Sequence, residues 1–304
     1  ERYTRDYAGK ALYPEWDEDH PLDFVAHSMG APVVRMLQYL LAEGFFSAAD
    51  GTAIRTSSRW IRSLSTVAGV HNGSTLTWIL GAEEGTGLIK SDAWLLKTLA
   101  CLIEQIAKLQ ERHKKLGAWY DLKLDQWGIG AAESVRGGLE RLFNLPEFAE
   151  SEDWALYDLS PDAMKKWNGI LREYPGTSYL SYTVCVPRRF FGLTLPVPFA
   201  AHFFLIPFSL RIGRYRFVSE QWKGEKRRPW LANDGMCPTW SQDYPHEGRT
   251  PAPAPTDGRW FVAGRVRHSD HAEVAMLPHL GRIGAGKRLY SRIIKNLLSL
   301  RNNP

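Results

Sequence analysis

The sequence predicts an α/β fold with a mainly parallel sheet flanked by helices. Three observations carry this. Short apolar runs alternate along the chain with stretches of helical spacing. The first such run passes into a helical stretch through a short string with small residues at every other position, Ala26-His27-Ser28-Met29-Gly30. And with 304 residues, 44% of them hydrophobic, the chain is long and apolar enough to bury a sizeable core.

The elements follow in order. Leu22 to Ala26 reads as a buried strand. Ala31 to Glu43 reads as a helix, with Val33, Val34, Leu37, Leu40 and Leu41 at helical spacing, Pro32 in the first turn and Gly44 as a stop. Trp60 to Val67 is the second strand. Ala93 to Lys115 carries a long helical stripe of Leu95, Leu96, Leu99, Leu102, Ile103 and Ile106. Pro161 to Glu173 starts with the proline that suits a first helical turn. Ser178 to Val186, rich in Tyr, Val and Thr, is the third strand. Pro238 to Pro255 has loop composition, Trp260 to Ala263 is a short strand, and Gly284 to Leu300 closes the sequence as an amphipathic helix.

Composition removes several function classes. Twenty-six Gly and 18 Pro without a period exclude collagen and coiled coil. Lys and Arg number 38 against 33 Asp and Glu, a net charge of +5. The positives are dispersed or in short clusters such as Lys223 to Arg228, without the aromatic interleaving of a nucleic-acid surface, so no nucleic-acid partner is expected. Cys101, Cys185 and Cys237 form no CxxC pair and leave the redox compartment open. Phe190 to Leu210 lacks Asp, Glu, Lys and Arg, but Pro196, Pro198 and Pro207 break the helix a lipid bilayer would require. No transmembrane span is expected there; an apolar loop region is. The sequence begins Glu1-Arg2-Tyr3-Thr4-Arg5, with neither Met nor an apolar signal core, so a targeting signal cannot be read and localisation stays open.

Ala26-His27-Ser28-Met29-Gly30 fits a small-x-Ser-x-small nucleophile elbow. On a sharp strand-to-helix turn, the residues two before and two after the serine are forced together, and Ala26 and Gly30 are small enough. Such a turn lifts the hydroxyl clear of the sheet and sets the Met29 N–H at the helix N-terminus, beside the site of a developing oxyanion. An ordinary strand–turn–helix joint with an inert serine is the plain alternative. A serine nucleophile needs a base and a group to orient it, in the chain order Ser, acid, His. His271, in the loop after the last strand, satisfies that order, with His268 as competitor. For the acid, Asp234 lies in Trp230-Leu231-Ala232-Asn233-Asp234-Gly235, where Asn-Asp-Gly is equally good turn chemistry.

These strings, with others, resemble the thermoalkalophilic bacterial lipases that carry structural zinc and calcium on an α/β-hydrolase fold. Phe24 to Gly30 is similar to the family elbow, with Ala26 in place of the usual first glycine. Arg35-Met36-Leu37, Ala68 to Leu76, Tyr120 to Gly128, Tyr157-Asp158-Leu159-Ser160, Tyr179-Leu180-Ser181, Trp230 to Gly235 and Asp270 to Val274 follow in family order. The resemblance runs from about Arg2 to the C-terminus. It implies Ser28 as nucleophile, Asp234 as orienter, His271 as general base and acid, and the Met29 amide as one oxyanion donor. It further implies one partial α/β-hydrolase domain over residues 1–304, with a helical lid insertion at about 77–175.

The chemistry itself requires no cofactor. For structural zinc, Asp153 matches one of four family ligands, two Asp and two His, with a solvated carboxylate as the alternative. For structural calcium, Glu273 matches a ligand, but the next expected carboxylate is Pro278 here. Only Arg2 to His20 precedes the elbow strand, where the family places its first strands and the second oxyanion amide, so the chain reads as N-terminally truncated. The implied activity is a serine ester hydrolase acting on lipid esters, triacylglycerols above all, at a lipid–water interface, which makes a secreted or lipid-surface location plausible. The alternatives are a phospholipase or lipid acyltransferase using the same triad, and a non-catalytic lipid-binding scaffold. Asn72-Gly73-Ser74 forms a glycosylation sequon whose place in a family turn argues against modification.

Overall fold

A computed structural model describes residues 13–48, 50–89, 137, 151–190, 193–196, 201–277 and 284–302. The helix expected over Ala93 to Lys115, and most of the expected lid insertion, lie outside the described residues.

A four-stranded sheet organises the chain: β1 (Leu22–His27), β2 (Ile61–Val67), β3 (Ser178–Cys185) and β6 (Trp260–Arg267), in that spatial order. Every neighbouring pair is parallel. His27 lies opposite Val67, Val67 opposite Tyr182, and Cys185 opposite Arg267. Because the strands share one direction, the loops leaving β1, β2, β3 and β6 all emerge at the same edge, the place where open α/β sheets hold their ligands.

Both faces of the sheet are covered. On one, Val67, Leu180, Tyr182 and Val184 pack with Val274, Leu289 and Ile293 from α6 (His271–Val274) and α7 (Gly284–Asn302). On the other, Ala26, Leu64, Tyr179 and Trp260 pack with Phe24 and with Val34 of α1 (Gly30–Ala42). The alternation of Tyr179 against Leu180 is the two-residue period of a strand buried on both sides. The remaining helices are α2 (Thr75–Ile79), α3 (Ala155–Asp158), α4 (Pro161–Ile170) and α5 (Ile206–Ile212). Ser160 caps α4 by accepting the Ala163 N–H, and Pro161 fills its first turn.

Four details differ from the sequence expectation. The fully buried stripe of α1 is Ala31, Arg35, Gln38 and Leu41, while Val33 is exposed. The polar pair is buried because it is satisfied. Arg35 donates to Asn168 Oδ1 at 2.9 Å and to the Leu171 carbonyl. Gln38 donates to Thr177 and accepts from the Tyr179 hydroxyl. Helix α4 stops at Ile170 rather than Glu173, as Leu171 turns extended and its carbonyl accepts from Arg35 and Arg249. Strand β6 runs four residues past Ala263. Arg265 and Arg267 continue it because they occupy the solvent side of an edge strand. Finally, the apolar region from Phe190 is not all loop. The hairpin of β4 (Pro187–Phe190) and β5 (Leu193–Pro196) begins it and α5 ends it. No helix among the described residues is long and apolar enough to cross a membrane.

Candidate active site

Ser28 follows β1 directly and has φ +55°, the left-handed region that a non-glycine residue rarely adopts. Its neighbours hold it there. The Ser28 N–H donates to the Val67 carbonyl of β2, and the Ser28 carbonyl accepts from Ala31 at 3.0 Å and Val70 at 3.4 Å. Strain of this kind persists only where the surroundings over-determine it. A side chain at Gly30 would begin 3.5 Å from the Ala26 Cβ, so the turn brings these two residues into contact, as the small-residue spacing requires. Met29 stands at the start of α1 with its amide in the first turn.

Asp234 is fully buried, and both its carboxylate oxygens are engaged. Oδ1 accepts the N–H groups of Met236 at 2.9 Å and Cys237 at 2.7 Å. Oδ2 accepts Gln242 Nε2 at 3.0 Å and His271 Nδ1 at 2.7 Å. The Asp234 carbonyl also accepts the His271 N–H at 3.0 Å. Asn-Asp-Gly is therefore turn chemistry and a histidine partner at once: one Asp234 oxygen closes the turn while the other faces His271. Gly235, at φ +97°, is required because a side chain there would begin 3.0 Å from Leu205.

His271 opens α6 and is nearly buried. The ring of His27, the residue before Ser28, lies against it with centroids 4.5 Å apart. This contact brings the elbow and the Asp–His pair to one place. Burial, with the His271 charge next in weight, pushes the His27 pKa down to about 4, so His27 is neutral near pH 7 and does not compete as a proton carrier. His268 is exposed, on the solvent side of the loop. Gln242, the second donor to Asp234, was not legible in the sequence. It sits in a loop-like stretch, on a 3-10 turn over Thr239–Gln242, and no spacing marks it.

An apolar cleft of about 290 Å³ opens beside the elbow, lined by Met29, Val33, Met36, Trp154, Met164 and Trp167 among others. The apolar region after β5 reaches the site as well, with Leu205 against Gly235 and His202 on Asp270. Asn72 of the sequon is buried, and its amide donates to the Tyr244 carbonyl at 2.7 Å, a bond that a glycan would displace.

Asp153 is exposed on the loop before α3, and the Glu273 carboxylate accepts the Ser269 hydroxyl at 2.7 Å. Among the described residues, no three His, Cys, Asp or Glu side chains gather to hold a metal ion. They do not complete the four ligands of a structural zinc or the six or more oxygens of calcium.

The parallel sheet, the left-handed serine on the strand–helix turn and the later Asp and His loops define an α/β-hydrolase fold. In comparisons with known proteins, its likenesses are to bacterial lipases and esterases. The chain is 26% identical to Lipase 2 of Staphylococcus aureus over 321 residues, covering 98% of this chain and 42% of the relative. It is 26% identical to a lipase of Staphylococcus hyicus over 195 residues, 60% of this chain and 27% of that one. Among solved structures, EstA from Clostridium botulinum superposes with a TM-score of 0.68 at 24% identity, covering 88% of this chain and 62% of that chain. The S. hyicus lipase gives 0.66 at 20% identity, with 97% and 74% covered. Lipase 1 from Pelosinus fermentans gives 0.62 at 27% identity, with 92% and 75% covered. No protein-family model matches. The chain is homologous to the staphylococcal lipases and spans about two-fifths of the length of the Lipase 2 relatives it matches.

Proposed function

We propose that this chain carries the catalytic centre of a serine ester hydrolase acting on lipid esters, with triacylglycerols as the type substrate. The observation that carries the reading is the buried hydrogen bond from His271 Nδ1 to Asp234 at 2.7 Å, packed through His27 against the strained Ser28 turn. Asp234 holds His271 in the tautomer with Nδ1 protonated, leaving Nε2 basic. His271 takes the Ser28 proton as Oγ attacks the ester carbonyl. The Met29 N–H at the helix N-terminus stabilises the oxyanion. His271 then returns the proton to the leaving alcohol, and water, activated by the same base, releases the fatty acid from the acyl-enzyme.

Homology to lipases and the apolar cleft beside Met29 support an acyl-chain ester as substrate. Residues 77–175 are read as the lid insertion of one hydrolase domain, and the lipid–water interface as the place of action. The resemblance puts zinc at Asp153 and calcium at Glu273; the described residues do not complete either ligand set, so the mechanism assigns no step to a metal. Metal analysis of the purified gene product reads whether either ion is carried.

The test is hydrolysis of an ester series from short to long acyl chains by the full natural gene product, beside Ser28→Ala and His271→Ala. The reading predicts long-chain turnover that both variants lose. Preferential release of a phospholipid acyl chain, or transfer to an alcohol acceptor, would replace it by the phospholipase or acyltransferase reading. No turnover from folded protein would leave a lipid-binding scaffold.

A further inference from the structure

A second buried aspartate–histidine pair stands directly behind the proposed base. Asp270, the residue before His271, is fully buried and has four donors. Oδ1 caps α6 by accepting the N–H groups of Ala272 at 3.0 Å and Glu273 at 2.8 Å. Oδ2 accepts from His202 twice, from its backbone N–H and from ring Nδ1, the latter at 2.8 Å. His202 is itself nearly buried, at the start of the 3-10 turn Phe203–Leu205, almost seventy residues earlier in the sequence.

We infer that His202 is a positioning residue for the hydrolytic reaction: by fixing the outer oxygen of Asp270, it sets the orientation of the helix turn from which His271 acts. The inference rests on the Ser28–His271 reading above.

The geometry gives the reason. A carboxylate that only caps a helix is held by one oxygen and can rock about its Cα–Cβ bond. The helix it caps has four residues and too few internal bonds to resist. With Oδ2 held by two donors from another segment, Asp270 cannot rotate without breaking buried hydrogen bonds, which are strong where water is excluded. His271 is thus gripped from two sides, by Asp234 on its ring and backbone N–H, and by Asp270 on the turn it begins. A misplacement of about 1 Å at a reacting group costs up to roughly 100-fold in rate.

The test uses the full natural gene product with a short, soluble ester, so that binding at a lipid surface does not enter. Turnover is normalised to the fraction of sites that react with a phosphonate probe. His202→Phe keeps an aromatic ring but removes the donor; His202→Asn places an amide Nδ2 near the position of Nδ1. The expected result is a kcat lowered roughly 10- to 100-fold in H202F with KM unchanged, and most of the rate regained in H202N. Asp270→Asn keeps the Oδ1 cap but presents a donor to His202, so it shows the same kcat deficit and serves if H202F does not fold. A kcat within about threefold of the parent in H202F or in D270N overturns the inference, as does an equal loss in H202F and H202N, which a purely packing role would give. Ser28→Ala separates the two levels. Turnover surviving in it defeats the hydrolase reading itself; turnover lost in it but intact in H202F and D270N defeats only the role of His202.

Discussion

Replacing Asp234 by Asn probes the site more sharply than deleting it, because size and turn geometry are kept. One carboxylate oxygen closes the turn on the N–H groups of Met236 and Cys237. An asparagine must keep its carbonyl oxygen there, which puts its NH₂ where Oδ2 stood. That position faces two donors, Gln242 Nε2 and His271 Nδ1. The imidazole can relieve the clash by moving its proton to Nε2, so that Nδ1 accepts from the amide. Nε2, the nitrogen that takes the Ser28 proton in the proposed mechanism, is then already protonated. The wrong tautomer of a triad histidine costs roughly 10³–10⁴ in kcat, about 4–5.5 kcal/mol of transition-state stabilisation. The buried Gln242 donor also loses an acceptor, a stability cost of about 1–3 kcal/mol. The assay is steady-state hydrolysis of a short-chain nitrophenyl ester, with circular dichroism to show that the variant folds. Activity of folded Asp234→Asn within tenfold of the parent would refute the assignment of Asp234 as orienter.

Three further outcomes follow from the same structure. His268→Asn, an exposed substitution that tolerates the left-handed φ of +59°, leaves ester turnover within about twofold; a large loss would return His268 as the base. Gly73→Ala sets a Cβ 2.4 Å from the backbone of Pro161 at φ +81°, and thermal melting registers a loss of about 3 kcal/mol or more. Burial pushes the Asp243 carboxyl up to about 6, from 3.8, against the weaker pull of Arg265. The folded state therefore holds a proton that the unfolded state has released. The parent loses stability relative to Asp243→Asn as pH rises from about 4 to 6, by up to ~3 kcal/mol, and the difference is constant above. Denaturant unfolding at pH 4 and pH 7 measures it; a difference that does not change with pH would contradict the burial.

What was legible in the sequence was whatever is decided locally. The elbow could be read because a strand, a serine between small residues and a helix follow one another within about twenty positions. Asp234 and His271 could be read as candidates from chain order and turn chemistry, and the structure joins them by a hydrogen bond. What was not legible depends on partners far along the chain. Arg35 and Gln38 occupy the buried face of α1 because Asn168, Leu171, Thr177 and Tyr179 satisfy them from more than 130 residues away. A hydropathy pattern favours Val33 instead. Gln242 and His202 are ordinary residues until the fold sets them against Asp234 and Asp270. The extension of β6 was hidden because arginines at an edge strand look like a turn.

The whole proposed mechanism turns on Ser28 being an activated nucleophile. Incubating the full natural gene product with an alkyl phosphonate and locating the adduct by peptide mass spectrometry tests it directly. The expected result is a single stable adduct on the peptide carrying Ser28, formed much more slowly in His271→Ala. Folded protein that stays unlabelled at Ser28, or labels equally fast without His271, would contradict it.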